Sequence, residues 1–412
     1  MKSFSIPVFY KSDLVGQIKE FRRKKDKLKK DFTPTQLDFG AVQLLLARHF
    51  GFCYGVENAV EIAYKTLDEN PNKRIFLLSE MIHNPLVNAD LLAKGIQFLQ
   101  DTEGNTLIPW ENLTSEDIVI VPAFGTTLEI EQKLKDLGIN PYGFNTTCPF
   151  VEKVWNRAAQ IGGRGYTLVV HGKPNHEETR ATFSHSQSNA PTVVVKDMAQ
   201  AQRLALYMTQ EIDLSGFYTE FKGQYSENFD VAQDLKRIGV VNQTTMLASD
   251  TQGIADFLKQ TLMTYHQLDD KSVEPYFANT RDTLCYATND NQEATMGLLQ
   301  EAADLAIVIG GYNSSNTTHL VELCETKLPT YFIESVACLH SDQEIEHFDI
   351  HSHQVKRSFS FLPEASTRPT RIMVTCGASC PDSMVESVIQ RLLSFFPTAK
   401  PEKEVLKAIL NS

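Results

Sequence analysis

From about residue 41 onward the chain repeats one rhythm: a short apolar strand, a turn of glycine and polar residues, then a helix whose apolar positions recur every 3.6 residues. Nothing else in the sequence narrows the fold as far, because strands that alternate with helices assemble into parallel sheets covered by those helices. The pattern predicts strands over 42–47, 118–123, 167–171, 238–242, 305–310 and 371–375. Helices are predicted over 56–67, 128–137, 150–161, 250–262, 292–303, 315–325 and 381–395. The fold class is therefore α/β, with mostly parallel sheets. Such sheets collect their chemistry in the turns beyond the carboxyl ends of the strands. Those turns read HFGFCYGV, PAFGTT, FNTTCPF, VHGKPNHEE, VNQTTM, GGYNSSN and TCGASCPD.

Composition removes several function classes. Lys plus Arg number 39 against 51 Asp plus Glu, a net charge of -12, which disfavours a general nucleic-acid binder because phosphate affinity needs cationic surface. No run of about 18 apolar residues is present to cross a bilayer as a helix. The start, MKSFSIPVFYKSD, lacks the apolar core and small-residue cleavage site of a secretory signal, so a cytoplasmic protein is expected. The first forty residues stand apart. Residues 22–30, RRKKDKLKK, carry seven basic side chains in nine and are expected to form a solvated helix or a frayed arm. A second reading of that run is electrostatic reception of an acidic electron carrier.

Seven cysteines, an odd number scattered over a long chain, do not make a secreted disulfide framework. Three of them, Cys53, Cys148 and Cys285, each lie just ahead of a predicted helix, 95 and 137 residues apart. The positive end of a helix favours the thiolate, the form that binds iron or zinc. None of the three has a C-x2-C partner of the kind that marks a structural zinc site. Spacing alone thus leaves two readings open: buried, inert cysteines, which are common in cores, or ligands of one metal centre.

The surrounding residues add a resemblance. GFCYGVENA, NTTCPFVEKV and DTLCYATNDNQEA are similar to the three cysteine motifs of LytB-type 4-hydroxy-3-methylbut-2-enyl diphosphate reductases, most nearly their plant and cyanobacterial branch. MIHNPLV, HEETRATFS, NQTTM, NSSNTTHL and CGASCPDSMVESVI follow that family's order, so the likeness runs from residue 51 to about 390 and leaves out the first forty. It implies a trefoil of three small α/β domains around a central [4Fe-4S] cluster, with Cys53, Cys148 and Cys285 on three irons and the fourth open to the substrate hydroxyl. The implied organisation is a basic extension at 1–40, a first strand and cluster loop at 41–53, α/β domains at 54–147, 148–284 and 285–395, and a tail at 396–412. The implied reaction is reductive dehydroxylation of the allylic diphosphate to isopentenyl and dimethylallyl diphosphate, the last step of the methylerythritol phosphate route. Ferredoxin or flavodoxin would supply electrons. GGRGYT, at residue 162, precedes a strand and so fails the context of a nucleotide-binding loop.

Residue roles follow from the same likeness. Ser314, Ser315, Asn316 and Ser379, with His83 and His176, would bind the diphosphate. Turns that open helices suit anions, although Ser and Asn there also serve as plain N-caps. Glu178 would deliver the proton that lets hydroxide leave as water, with Thr244 bridging to the substrate hydroxyl. Taken alone, Glu178 is also an ordinary helix-start carboxylate. His185, His266, His351 and His353 read as surface or structural. Phe124 departs from the pattern, standing where many bacterial members have a diphosphate-binding histidine, and Cys376 and Cys380 read as packing residues beside Ser379. Two rivals remain: a zinc-dependent diphosphate lyase, which would be colourless because zinc has no redox chemistry, and an iron-sulfur sensor, for which no DNA-binding element is visible.

Overall fold

The computed structural model describes residues 4–278, 283, 285–364 and 368–411; Asp282 and Leu284 of the third cysteine motif lie outside the described residues. The chain divides into two compact units. The first joins Met1–Glu57, Ile82–Asp90 and Tyr286–Ser412, and the second joins Asn58–Met81 and Leu91–Cys285.

The first unit is built on a seven-stranded sheet. In spatial order its strands are β1 (Thr35–Asp38), β2 (Val42–Leu46), β13 (Thr370–Cys376), β9 (Leu305–Ile309), β10 (Thr330–Ile333), β11 (Glu344–Asp349) and β12 (Gln354–Phe359). The four central strands are parallel: Leu44 faces Ile372, Ile372 faces Leu305 and Val308 faces Phe332. All five residues of β9, LAIVI, are buried, as they must be when helices cover both faces. β1 lies antiparallel to β2, and the β11–β12 hairpin continues antiparallel from β10, so both margins are made of antiparallel strands.

The basic extension is part of this core. Its helix, Asp13–Lys25, starts where Ser12 Oγ accepts the Val15 N–H at 2.9 Å. Leu14, Val15 and Ile18 fall on one face and are buried in the same cluster as Val385, Val388 and Leu392 of the helix Asp382–Leu393. The basic run 22–30 is solvated as expected: Arg23, Lys24 and Lys25 are exposed in the helix's last turn, and Lys27 to Lys30 are exposed beyond it.

The second unit holds two parallel three-stranded sheets: β4 (Gln97–Phe98), β3 (Ile75–Leu77) and β5 (Ile118–Ile120), and then β7 (Thr192–Val195), β6 (Thr167–His171) and β8 (Ile238–Asn242). Strands β6 and β8 have the bounds the sequence predicts. One helix is displaced: that expected over 292–303 runs from Tyr286 to Leu298. Its opening turns, rich in Thr and Asn, have poor helix propensity, yet Thr288, Asn291 and Gln292 are buried and tertiary packing holds them helical. Among the described residues, no helix is long and apolar enough to cross a membrane.

Candidate active site

In the first unit the turns leaving β2, β9 and β13 come together because those strands are parallel neighbours. Gly377 N–H bonds the Ile309 carbonyl at 3.0 Å, and the Cys53 N–H bonds the Ala378 carbonyl at 3.1 Å, so the cysteine loop is tied to the serine loop. Asn316 Oδ1 accepts the Ala378 N–H at 2.9 Å. Ser379 Oγ donates to the His83 carbonyl at 3.0 Å, which places the Ile82–Asp90 segment on the same turns. Side chains are excluded where these turns touch: a Cβ on Gly377 would lie 2.0 Å from Thr317 Oγ1, and one on Gly311 2.6 Å from the His83 carbonyl.

Ser314 is the N-cap of the helix Ser315–Glu325, its Oγ accepting the Thr317 N–H at 3.3 Å and the Thr317 hydroxyl at 2.9 Å. The capping alternative is therefore realised for Ser314. Its neighbours differ. Ser315 Oγ and Asn316 Nδ2 are buried at this helix start with no hydrogen-bond partner in the protein. Orphaned buried donors cost about 1–3 kcal/mol each, a penalty that an anionic ligand would relieve.

In the second unit the turns after β6 and β8 are joined. Gln243 N–H bonds the His171 carbonyl at 2.8 Å, and Gln243 Oε1 accepts from Lys173 N at 3.1 Å and Thr179 Oγ1 at 2.9 Å. His176 caps the helix Glu177–Gln187, with Nδ1 accepting the Glu178 N–H at 3.1 Å. That contact puts the proton of a neutral imidazole on Nε2. Glu178 is only 1% exposed; its Oε1 accepts the Thr244 N–H and its Oε2 the Thr244 hydroxyl at 3.0 Å. A hydroxyl both donates and accepts, so Thr244 is chemically able to hand a proton onward from Glu178. Phe124 packs edge-on to the His176 ring, with centroids 5.8 Å apart.

The cysteines sort by place. Cys53 accepts the Glu57 N–H at 2.9 Å on its carbonyl and opens the helix Tyr54–Glu69. Cys148 is the N-cap of Pro149–Gly162, and Cys285 directly precedes Tyr286–Leu298. None of the seven is in a disulfide. Cys324, Cys338, Cys376 and Cys380 sit in the apolar core of the first unit, where burial pushes the Cys324 thiol up to about 12 and also raises Cys380. These four pack in the core, whereas the three at helix starts combine a sulfur donor with a helix-end field that favours the thiolate, the form that binds iron. Among the described residues of either unit, no three His, Cys, Asp or Glu side chains are gathered into a metal-ligating group. Cys53 belongs to the first unit and Cys148 and Cys285 to the second.

A family profile described as LytB protein matches residues 44–393. This chain belongs to the LytB family. Two relatives named 4-hydroxy-3-methylbut-2-enyl diphosphate reductase extend the likeness. The protein of Synechococcus sp. strain WH7803 is 37% identical over 95% of this chain and 92% of its own. That of Gloeobacter violaceus is 39% identical over 86% of this chain and 83% of its own. A solved structure of (E)-4-hydroxy-3-methyl-but-2-enyl diphosphate reductase, described as the terminal enzyme of the non-mevalonate pathway, has 25% identity and a TM-score of 0.50, covering 85% of this LytB chain and 99% of that one. The E-1-hydroxy-2-methyl-but-2-enyl-4-diphosphate reductase of Plasmodium falciparum, at 21% identity, shares the fold with a TM-score of 0.60 over 86% of this chain and 89% of its own.

The LytB motifs thus fall into two sets. Cys53, His83, Ser314, Ser315, Asn316 and Ser379 surround the turns of the first unit, while Cys148, His176, Glu178 and Thr244 lie on turns and helix starts of the second, and Cys285 ends the second unit's span. His185 is structural, stacked on Trp155 with centroids 3.7 Å apart. Gln243 escaped sequence reasoning although it stands inside NQTTM: wholly buried, it ties both turns that carry Glu178 and Thr244. A glutamine between an apolar strand and two threonines was the available signal.

Proposed function

We infer that this chain is a 4-hydroxy-3-methylbut-2-enyl diphosphate reductase that removes the allylic hydroxyl and yields isopentenyl and dimethylallyl diphosphate. The carrying observation is a family match over residues 44–393 in a chain whose three motif cysteines each stand at a helix start. Cys53, Cys148 and Cys285 would hold one [4Fe-4S] cluster. When bound, such a cluster supplies the low-potential electrons for reductive C–O cleavage. Ser315 Oγ and Asn316 Nδ2 bind diphosphate oxygens, Ser314 and Ser379 complete the turn, and His83 and His176 add donors, His176 through Nε2–H. Glu178, once it takes up a proton, supplies the one that accompanies the leaving hydroxyl: the Thr244 hydroxyl, 3.0 Å from Oε2, turns from donating to accepting and passes its own proton on. Electrons come from ferredoxin or flavodoxin, and the protein works in the cytoplasm.

Anaerobic purification, iron counting and an absorption spectrum test the assignment, followed by oxidation of reduced methyl viologen on adding the hydroxylated allylic diphosphate. Brown protein with substrate-dependent oxidation is expected, and Cys53→Ser, Cys148→Ser and Cys285→Ser should each lose iron. A colourless preparation with stoichiometric zinc would sink the reading in favour of a lyase.

A further inference from the structure

The segment Lys19 to Asp31 carries eight basic residues against three acidic ones in a chain whose net charge is -12. Two of its acids, Asp26 and Asp31, are spent on local contacts, and the third, Glu20, pairs along the helix with Arg23 at 2.7 Å and Lys24 at 3.6 Å. Asp26 Oδ2 accepts the Asp31 N–H at 2.9 Å and lies 3.8 Å from buried Arg48, and Asp31 pairs with Arg22 at 3.0 Å. The bases face outward: Arg23, Lys24, Lys25, Lys27, Lys29 and Lys30 are all exposed. Among them in sequence, between Lys27 and Lys29, Leu28 is 76% exposed. An apolar centre with a charged rim is the form of a short-lived docking surface.

The same segment is laced to the loop that carries Cys53. Arg48 donates to the Arg22 and Asp26 carbonyls, each at 3.5 Å, and the His49 ring meets Phe32 edge-on at 5.9 Å. Lys19 sits 4.5 Å from the centroid of Phe50, and Tyr10 packs edge-on to Phe52 at 5.8 Å. Residues 48, 49, 50 and 52 of the run ending at Cys53 are thus each held by the extension. Lys29 also pairs at 3.2 Å with Asp290, in the helix that Cys285 precedes.

We propose that the exposed basic face around Leu28 is where an acidic one-electron carrier protein docks, delivering electrons beside the Cys53 loop. The proposal rests on the reductase reading. Each turnover consumes two electrons and two protons, breaks the C–O bond and releases water, so two reduced carriers must visit and leave. Weak, salt-sensitive docking suits that traffic better than a permanent interface.

The test uses the cluster-loaded full chain and a plant-type [2Fe-2S] ferredoxin as probe. Binding is titrated at low and high salt, and turnover is driven in parallel by ferredoxin and by methyl viologen. In Lys24→Glu/Lys27→Glu/Lys30→Glu, ferredoxin binding should weaken roughly tenfold or more at low salt, with KM for ferredoxin rising in step and viologen-driven turnover unchanged. Leu28→Ser, which alters no charge, should weaken ferredoxin binding without changing its salt dependence. Unaltered ferredoxin affinity in the charge-reversed variant overturns the proposal, and so does an equal loss of viologen-driven turnover. If the unsubstituted protein reduces no diphosphate with viologen, the reductase reading fails instead, while the binding titration still decides the docking surface.

Discussion

Substituting Glu178→Gln isolates the proton from the architecture. The amide has the size of the carboxylate, and its oxygen still accepts the Thr244 N–H that now bonds Oε1. Its NH2 group then faces Thr244 Oγ1, which sits 3.0 Å from Oε2 and needs only to turn its hydroxyl from donating to accepting. Both contacts survive but change from charge-assisted to neutral, a stability cost of about 1–2 kcal/mol. Catalysis has no such repair, because an amide cannot give up the proton. Loss of a positioned general acid slows a reaction by about 100- to 10,000-fold, or roughly 3–5 kcal/mol in the barrier. Thermal unfolding, the iron absorption band and viologen-coupled turnover of the anaerobic protein read the two effects separately. Thr244→Val should show a smaller loss. Turnover of Glu178→Gln within about threefold of the parent, with folding and absorption intact, would remove Glu178 from the proton path.

Three further outcomes are expected. Asn316→Asp keeps the acceptor for the Ala378 N–H but replaces the orphaned donor with a negative charge, so KM for the diphosphate should rise about 10- to 100-fold; an unchanged KM would show that no phosphate oxygen lies there. Gly125 has φ +76, and a Cβ on it would stand 2.4 Å from the Trp155 ring, which is pinned by its stack on His185 and by a 3.1 Å bond to Thr182. Gly125→Ala should therefore destabilise by roughly 1–3 kcal/mol, visible as a lower Tm. The third outcome concerns acid. His49 is held to about 4, first by burial and then by Arg48, against 6.5 for a free imidazole. Its folded form stays neutral while the unfolded chain takes up a proton, so stability should fall as pH drops from about 6.5 to 4 and level off below. Urea titrations of the parent and of His49→Leu check this: the variant should lose part of the pH dependence.

What could be read from residues alone was set by periodicity. β6, β8 and the helix Ser315–Glu325 emerge with the expected bounds because apolar runs end there in sharp polar turns. Ile75–Leu77 and Gln97–Phe98 are too short to display a period, and β7 and β10, at four residues each, were likewise passed over. In the extension, the basic run hid the stripe Leu14, Val15 and Ile18, although Ser12 ahead of them was a legible cap signal. The motifs were legible, and Ser314 and Glu178 stand at the helix starts their sequence context implies. What the motifs could not convey was which hydroxyls and amides spend their hydrogen bonds inside the protein and which are left over. That depends on neighbours distant in sequence, as with Ala378 beside Asn316 or His83 beside Ser379.

The large sheet keeps its four parallel strands in the middle and its antiparallel ones at the margins. Growth at such margins is mechanically quiet. The β11–β12 hairpin, with most β12 side chains facing water, lies outside the inner strands, so a change in its length leaves the loops between those strands where they are. Lys356 and Arg357 on that outermost strand also deter pairing with the edge of a second sheet, so this margin does not become adhesive.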